Sequence, residues 1–155
     1  SYGVTLQHMK LHGAFYNTAC VTPALADAVL DGLQAVNPDI AAMVLSGSYI
    51  AKEAERRGIP VIQEVFADRG YTDEGTLVPR TEPGAFIKDP QEALERVLMM
   101  VTEGKVVTNT GNTIDIVADS VCVHGDNPEA IAFTNYIREG LTKAGVTVAN
   151  FQNRK

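Results

Sequence analysis

Runs of apolar residues alternate with segments of helical spacing along this chain. Continuous apolar runs predict buried parallel strands, and apolar residues that repeat every three or four positions predict the helices that cover them. We predict five parallel strands, over residues 4–11, 41–45, 59–67, 120–123 and 146–148. Four predicted helices begin near Thr22, Tyr49, Asp89 and Ile131, and end near Asn37, Gly58, Gly104 and Gly145.

Two connections interrupt the alternation. A long polar stretch, residues 68–88, follows the third strand, and ordered loops of this length are commonly functional. Residues 109–112, Asn-Thr-Gly-Asn, predict a hairpin turn before the fourth parallel strand. Strands that alternate with helices indicate an α/β fold with right-handed crossovers. Five parallel strands are too few for a closed (β/α) barrel, which takes about 250 residues.

Composition narrows the class of protein. The 155 residues are 45% hydrophobic, which fits a single domain over residues 1–155 with a buried core. A net charge of -6 argues against a nucleic acid or an anionic membrane as partner. No apolar run is long enough to cross a membrane, and the first residues do not have the pattern of a signal peptide. We therefore expect a cytoplasmic protein.

Polar side chains collect where three predicted strands end. Because parallel strands end at the same rim, and α/β folds place their chemistry there, we expect one shared site. The residues in question are Lys10, His12, Tyr16 and Asn17 after the first strand, Asp68, Arg69 and Tyr71 after the third, and His124 and Asp126 after the fourth.

Each of these positions also has a structural interpretation. Asp126 suits the cap of the next helix, and His124 suits a local hydrogen bond. Asp68 and Arg69 fit a solvated ion pair, and Lys10 fits a side chain that extends to solvent.

Other polar residues have the same two interpretations. Arg80, in the long loop, fits either an anion contact or plain surface. Asp73 fits an ordinary acidic turn in which Gly75 has a positive φ. The Ser46–Gly47–Ser48 segment fits a helix cap better than a phosphate cradle.

Three motifs together resemble the LamB/YcsF family, whose members are also known as the A component of bacterial 5-oxoprolinase. They are MKLHGAFYN at 9–17, FADRGYTDEGTLVPR with the following GAFI at 66–87, and VCVHGDNPEA at 121–130. Departures stand at four positions, where the family usually has proline at Leu11, leucine at Phe15, threonine at Asn127 and glycine at Glu129. Two family motifs that precede these, one acidic and one carrying a histidine, do not occur in this sequence.

The resemblance implies a fold and a reaction. The expected fold is a partial (β/α) barrel of the glycoside hydrolase/deacetylase type, which lacks the N-terminal strands. The implied reaction is the ATP-dependent opening of the lactam 5-oxoproline to glutamate, together with other 5-oxoprolinase subunits. Three explanations of the open edge remain: an N-terminal partner chain supplies the rest, the sequence is a truncated or proteolysed product, or a homo-oligomer covers the edge.

Roles for the polar residues follow from the resemblance and the residue types. His12, Asp68, His124 and Asp126 are the expected acid–base groups. The expected substrate or phosphate contacts are Lys10, Tyr16, Asn17, Arg69, Tyr71 and Arg80. Two alternatives remain open: a metal-dependent, deacetylase-like hydrolase in which His12 and His124 bind a divalent metal, and a non-catalytic subunit that binds a small carboxylate or a partner.

Overall fold

A computed structural model describes residue 3 and the ranges 5–125 and 130–151. The described residues divide into two compact units, one up to residue 63 and one from residue 64. The chain passes from the first unit to the second inside the strand Val61–Phe66. None of the described helices is by itself long and apolar enough to cross a membrane, although the first two, taken together across a 111° bend, match a span in length and composition.

The first unit contains the start of a parallel sheet and three helices. Its elements are β1 (His8–Lys10), α1 (Gly13–Val21), α2 (Pro23–Val36), β2 (Ala41–Leu45), α3 (Tyr49–Arg56) and the first half of β3 (Val61–Phe66). β1 pairs in parallel with β2, so that Lys10 lies opposite Met43. Ala42 N–H donates to the carbonyl of Pro60, at 2.8 Å, where the chain enters β3. Both faces of β2 are covered, because four of its five residues are buried.

The second unit contains the rest of β3, a hairpin and two helices. Its further elements are α4 (Pro90–Glu103), β4 (Lys105–Val107), β5 (Thr113–Asp115), β6 (Ser120–Cys122) and α5 (Ala130–Lys143). β3 pairs in parallel with β6, and Phe66 lies opposite Cys122. β4 and β5 form the antiparallel hairpin that the sequence predicts. α4 and α5 pack over β3 and β6 around a cluster formed by Ala67, Ala93, Val97, Ile137 and Leu141.

Helix boundaries follow the predicted signals closely. Asp89 caps α4, because its carboxylate accepts from the backbone N–H groups of Gln91 and Glu92 at 2.7 and 3.1 Å. Gly104 ends the same helix in the left-handed conformation, with φ of 66°. Thr22 is the N-cap of α2 and Asn37 is its C-cap. The predicted alternation of parallel strands and helices is therefore confirmed for these elements.

Three predictions about elements were wrong. The first strand is short, His8–Lys10, and His8 is exposed on it. A helix, α1, follows at Gly13–Val21, where the local pattern predicts only a turn. Residues 146–148 form no strand, because Val146 N–H donates to the carbonyl of Leu141 and its side chain packs against the α4–α5 cluster.

Candidate active site

The ends of β3 and β6 bring a carboxylate and an imidazole together in the second unit. Asp68 and His124 each lie two residues beyond the last paired residues, Phe66 and Cys122. Asp68 Oδ2 and His124 Nδ1 are 2.7 Å apart. The His124 ring also stacks on Phe66, with centroids 5.7 Å apart and planes inclined by 23°. The parallel pairing of β3 with β6 thus places Asp68 beside His124, and the contact with Phe66 fixes the orientation of the imidazole.

The contact between the two side chains assigns the roles of the imidazole nitrogens. A carboxylate accepts the proton of Nδ1, so the neutral ring presents Nε2 as an acceptor. Asp68 Oδ1 is buried and has no hydrogen-bond partner among the described residues. A buried carboxylate oxygen without a donor is costly in a closed core and is typical of a position that a bound group completes.

Arg69 is buried and holds the loop that follows β3. Its Nε donates to the carbonyl of Ala85 at 2.9 Å, and its Nη2 donates to the carbonyl of Val78 at 2.6 Å. Burial lowers the pKa of its guanidinium, and the neighbouring Arg80 lowers it further. These hydrogen bonds make Arg69 a support of the loop, whereas the sequence predicted a direct substrate contact.

Arg80 is exposed, and its contact with an anion stays a prediction. The Phe86 ring lies beside both arginines, with its centroid 5.5 Å from the Arg80 guanidinium carbon and 5.2 Å from that of Arg69. Cations are attracted to the face of an aromatic ring, so Phe86 holds the Arg80 side chain near Arg69 without neutralising either charge.

Tyr71 does not lie on an accessible surface. Its side chain is fully buried, and its hydroxyl accepts from the backbone N–H of Phe66 at 2.9 Å. Burial raises the pKa of this phenol well above its ordinary value. The prediction that Tyr71 contacts substrate is therefore corrected: Tyr71 supports the end of β3 from inside.

Four of the remaining predicted residues lie in the first unit. Lys10 ends β1, and its Nζ is 5.8 Å from the centroid of the Tyr16 ring. Tyr16 is 5% exposed, so its ring packs beneath the lysine rather than presenting an open binding group. His12 is exposed at the N-cap of α1, and Asn17 is exposed on that helix. That His12 shares a site with Asp68 and His124 stays a prediction, and Asp126 lies outside the described residues.

The segment Ser46–Gly47–Ser48 is a helix cap. Ser48 Oγ accepts from the N–H of Ala51 at 3.4 Å. Gln63 Oε1 accepts from Ser46 Oγ at 3.1 Å and from Gly47 N–H at 3.0 Å. The Ser46 hydroxyl and the Gly47 amide are therefore already bonded within the protein. Nor do the described residues group three His, Cys, Asp or Glu side chains as a metal would require.

Asp73 is the residue that sequence reasoning missed. Its carboxylate accepts from three side chains of the β4–β5 hairpin, the hydroxyls of Thr108 and Thr110 and the amide of Asn112. These donors, Thr108 first, lower the pKa of Asp73. They lie 35–39 residues further along the chain, so no local pattern near Asp73 predicts them.

A partial (β/α) barrel with a bonded carboxylate and imidazole at its strand ends is the class of protein that these features define. The chain belongs to the LamB/YcsF family, whose model matches residues 1–155. The predicted family and the predicted fold class are thereby confirmed.

Individual relatives agree with this assignment. The chain is 59% identical over 143 residues to the A component of 5-oxoprolinase from Fusobacterium nucleatum, covering 92% of this chain and 56% of the relative. It is 46% identical over 146 residues to the corresponding component of 5-oxoprolinase from Pyrococcus horikoshii, covering 94% and 57%. A crystal structure of the lactam utilization protein from Thermus thermophilus matches with a TM-score of 0.86 at 40% identity, covering 96% of this chain and 59% of that one. The chain thus spans a little over half the length of these relatives.

Proposed function

We propose that this chain forms part of the active site of the A component of a 5-oxoprolinase, which opens 5-oxoproline to glutamate with ATP and the other subunits of the enzyme. The names of the relatives support the substrate class, since they are 5-oxoprolinase components and a lactam utilization protein. The observation that carries the proposal is the 2.7 Å contact between Asp68 and His124 at adjacent strand ends.

Opening a lactam needs proton transfer in two places. Water loses a proton as it adds to the ring carbonyl, and the ring nitrogen gains one as the C–N bond breaks. With Nδ1 bonded to Asp68, His124 has Nε2 available to take the first proton and to return it to the nitrogen. Asp68 stabilises the imidazolium that forms between the two transfers, as a carboxylate partner of a histidine does in hydrolases generally.

Cations complete the proposed site. Arg80 is an exposed cation of the long loop, and Lys10 is a further cation proposed from the sequence. We assign them to the substrate carboxylate or to phosphate, with Arg69 as the support of the loop. When bound, ATP would supply the phosphoryl group that makes the ring carbonyl electrophilic enough for water to add. The Ser46–Gly47–Ser48 segment is a helix cap, so the place of ATP is not assigned to it.

The proposal is tested with the full-length protein in complex with its partner subunits. Glutamate formation from 5-oxoproline, followed together with ATP consumption, is expected to fall sharply when His124 is replaced by Asn. Glu74→Gln is the control, since Glu74 lies in the same loop as Asp68 and its side chain is exposed. Wild-type turnover in His124→Asn would show that this rim serves binding or assembly instead.

A metal-dependent hydrolase is the second candidate, because a histidine oriented by a carboxylate is also the usual arrangement of a metal ligand. In that case His124 Nε2 binds the ion, with His12 as a further proposed ligand. The two candidates differ in a simple measurement. Stoichiometric metal in the purified protein, with activity lost on chelation and restored by the ion, supports the second candidate; ATP-dependent turnover without such metal supports the first.

A further inference from the structure

The β4–β5 hairpin donates three side-chain hydrogen bonds to one carboxylate of the loop that carries Asp68. Asp73 Oδ1 accepts from Thr108 and from Thr110, the latter at 2.7 Å, and Asp73 Oδ2 accepts from Asn112 Nδ2 at 3.0 Å. An acidic residue in an ordinary turn accepts from its own neighbours in sequence. Here all three side-chain donors come from another element, so the contact is between the loop and the hairpin.

A second set of contacts runs from the same hairpin to the end of β3. Asn109 N–H donates to the carbonyl of Tyr71 at 2.8 Å. The Tyr71 hydroxyl in turn accepts from Phe66 N–H at 2.9 Å, and the Phe66 ring stacks on His124. Contiguous hydrogen bonds and packed rings therefore connect the hairpin to the acid–base pair. Every residue of this path lies in the second unit.

The loop has little other regular structure to define its position. It contains no helix or strand between β3 and α4, and its internal pairing consists of two isolated bridges, Arg69 with Phe86 and Tyr71 with Leu77. Gly70 is tightly enclosed, since an added Cβ would lie 2.0 Å from the carbonyl oxygen of Gly84. Asp73 lies between the bridged residues Tyr71 and Leu77, so its contacts join this part of the loop to the hairpin.

We propose that the β4–β5 hairpin is a positioning element for the Asp68–His124 pair, with Asp73 as the positioning residue. The carboxylate of Asp73 fixes the loop on the hairpin, and Tyr71 transmits that position to Phe66 and so to the ring of His124. This inference rests on the proposed function only where it treats the pair as catalytic. That Asp73 and Tyr71 fix the position of the His124 ring is independent of the reaction that takes place at this site.

The test compares Asp73→Asn with Glu74→Gln, which removes a neighbouring exposed charge from the same loop. Asparagine keeps the size of the side chain but turns one acceptor into a donor that faces donors. Loss of the charged acceptor weakens all three hydrogen bonds, so local opening of the loop should rise about tenfold or more. Hydrogen exchange at the amides of Gly70, Val78 and Ile87 measures it, because each of them donates to a carbonyl inside the loop.

A spectroscopic signature separates positioning from general stability. The Nδ1 proton of His124, bonded to Asp68, gives a distinctive NMR signal, and its shift and line width report the geometry of the pair. In Asp73→Asn we expect this signal to shift or broaden while the amides of β2 keep their protection. Glu74→Gln should leave both unchanged.

Thr110 supplies a milder second variant, because it is exposed and its replacement does not threaten folding. Thr110→Val should reproduce part of the loop exchange and part of the His124 change, and Thr110→Ser, which keeps the hydroxyl, should restore both. The proposal is overturned if the loop and His124 behave as in the wild type in both Asp73→Asn and Thr110→Val, or if protection falls equally in β2. None of these readouts needs turnover. If the wild-type protein shows the His124 signal but does not turn over 5-oxoproline, that result counts against the proposed function and not against the positioning role.

Discussion

Asp68 and His124 are joined by a 2.7 Å contact although 56 residues separate them in sequence. The parallel pairing of β3 with β6 explains how they meet, since both lie at the same distance beyond paired residues. The stacked Phe66 ring limits rotation of the imidazole. In the proposed function this pair moves a proton through Nε2, so replacing either residue should affect turnover.

Replacing His124 by Asn should reduce turnover with little change in KM. Asparagine retains a hydrogen bond to Asp68 but cannot move a proton near neutral pH. General acid–base catalysis is typically worth about 10²–10⁴-fold, so kcat should fall by that factor. Steady-state kinetics of the full-length protein with its partner subunits, 5-oxoproline and ATP measure this. His12→Asn gives the same result only if His12 shares the site, and an unchanged kcat in His124→Asn contradicts the assignment.

Arg69 and Arg80 should respond differently to replacement by alanine. Arg80 is exposed, so its loss should raise KM and leave stability nearly unchanged. Arg69 donates two hydrogen bonds to buried loop carbonyls, so its loss should cost about 2 kcal/mol or more of folding free energy. Urea unfolding measures the change in folding free energy of each variant, and steady-state kinetics measure the change in KM. Equal destabilisation in both variants would refute the distinction.

Much of the fold was predictable because its signals are local. The cap at Asp89, the stop at Gly104 and the turn at residues 109–112 each depend on a few adjacent residues, and all three are confirmed. The helix Gly13–Val21 escaped prediction because its N-cap, His12, makes no side-chain capping bond and its apolar residues show no clear stripe. The predicted strand at residues 146–148 failed because a run of apolar residues also suits packing against helices.

The candidate site was predictable only in part. Polar residues at strand ends identified Asp68 and His124 correctly as neighbours, since parallel pairing is implied by the alternation of elements. Burial was not predictable: Tyr71 and Arg69 are polar residues of the same motif, yet both face inward and bond to backbone. The local sequence around Asp73 indicates only a solvated turn. The donors to its carboxylate lie in the hairpin, 35–39 residues away in sequence, so the residues next to Asp73 do not predict them.

Glycine substitutions should have opposite effects at two positions. Gly70→Ala places a methyl group 2.0 Å from the backbone oxygen of Gly84, which cannot move easily, so we expect a loss of more than about 2 kcal/mol. Gly32 lies within α2, has no atom near an added Cβ and has no positive φ. Gly32→Ala should therefore stabilise by about 0.5–1 kcal/mol. Thermal unfolding of both variants measures this, and a stable Gly70→Ala would show that the loop has room to shift.

The outer surface of β1 should promote association. β1 is at the edge of the sheet order, and beside it Leu6 is 68% exposed and Val36 80% exposed. Together with Leu11, Val29 and Leu33 they line an apolar groove. Exposed apolar grooves beside an open strand edge favour pairing with another chain.

Sedimentation of the purified chain at micromolar concentration should therefore show self-association. Val36→Lys should weaken it, because it places a charge in the groove. Ile131→Lys is the matched control, since Ile131 is 77% exposed on α5 and is not one of the groove residues. A monomer in the wild type, or an equal effect of both substitutions, would show that β1 is not the surface of association.

The ion pairs of α3 should contribute stability that depends on pH in a defined window. Hydrogen bonds from Arg56 and then Arg57 lower the pKa of Glu53 from 4.5 to about 2. A carboxyl whose folded pKa is lowered stabilises the protein fully above its unfolded pKa, and this contribution disappears as the pH falls from about 4.5 through about 2. The difference in unfolding free energy between wild type and Glu53→Gln should accordingly be constant near neutral pH and shrink across that window. An NMR titration of the Glu53 carboxyl is the direct check, and a midpoint at the ordinary value for glutamate would mean that Arg56 and Arg57 do not hold it in solution.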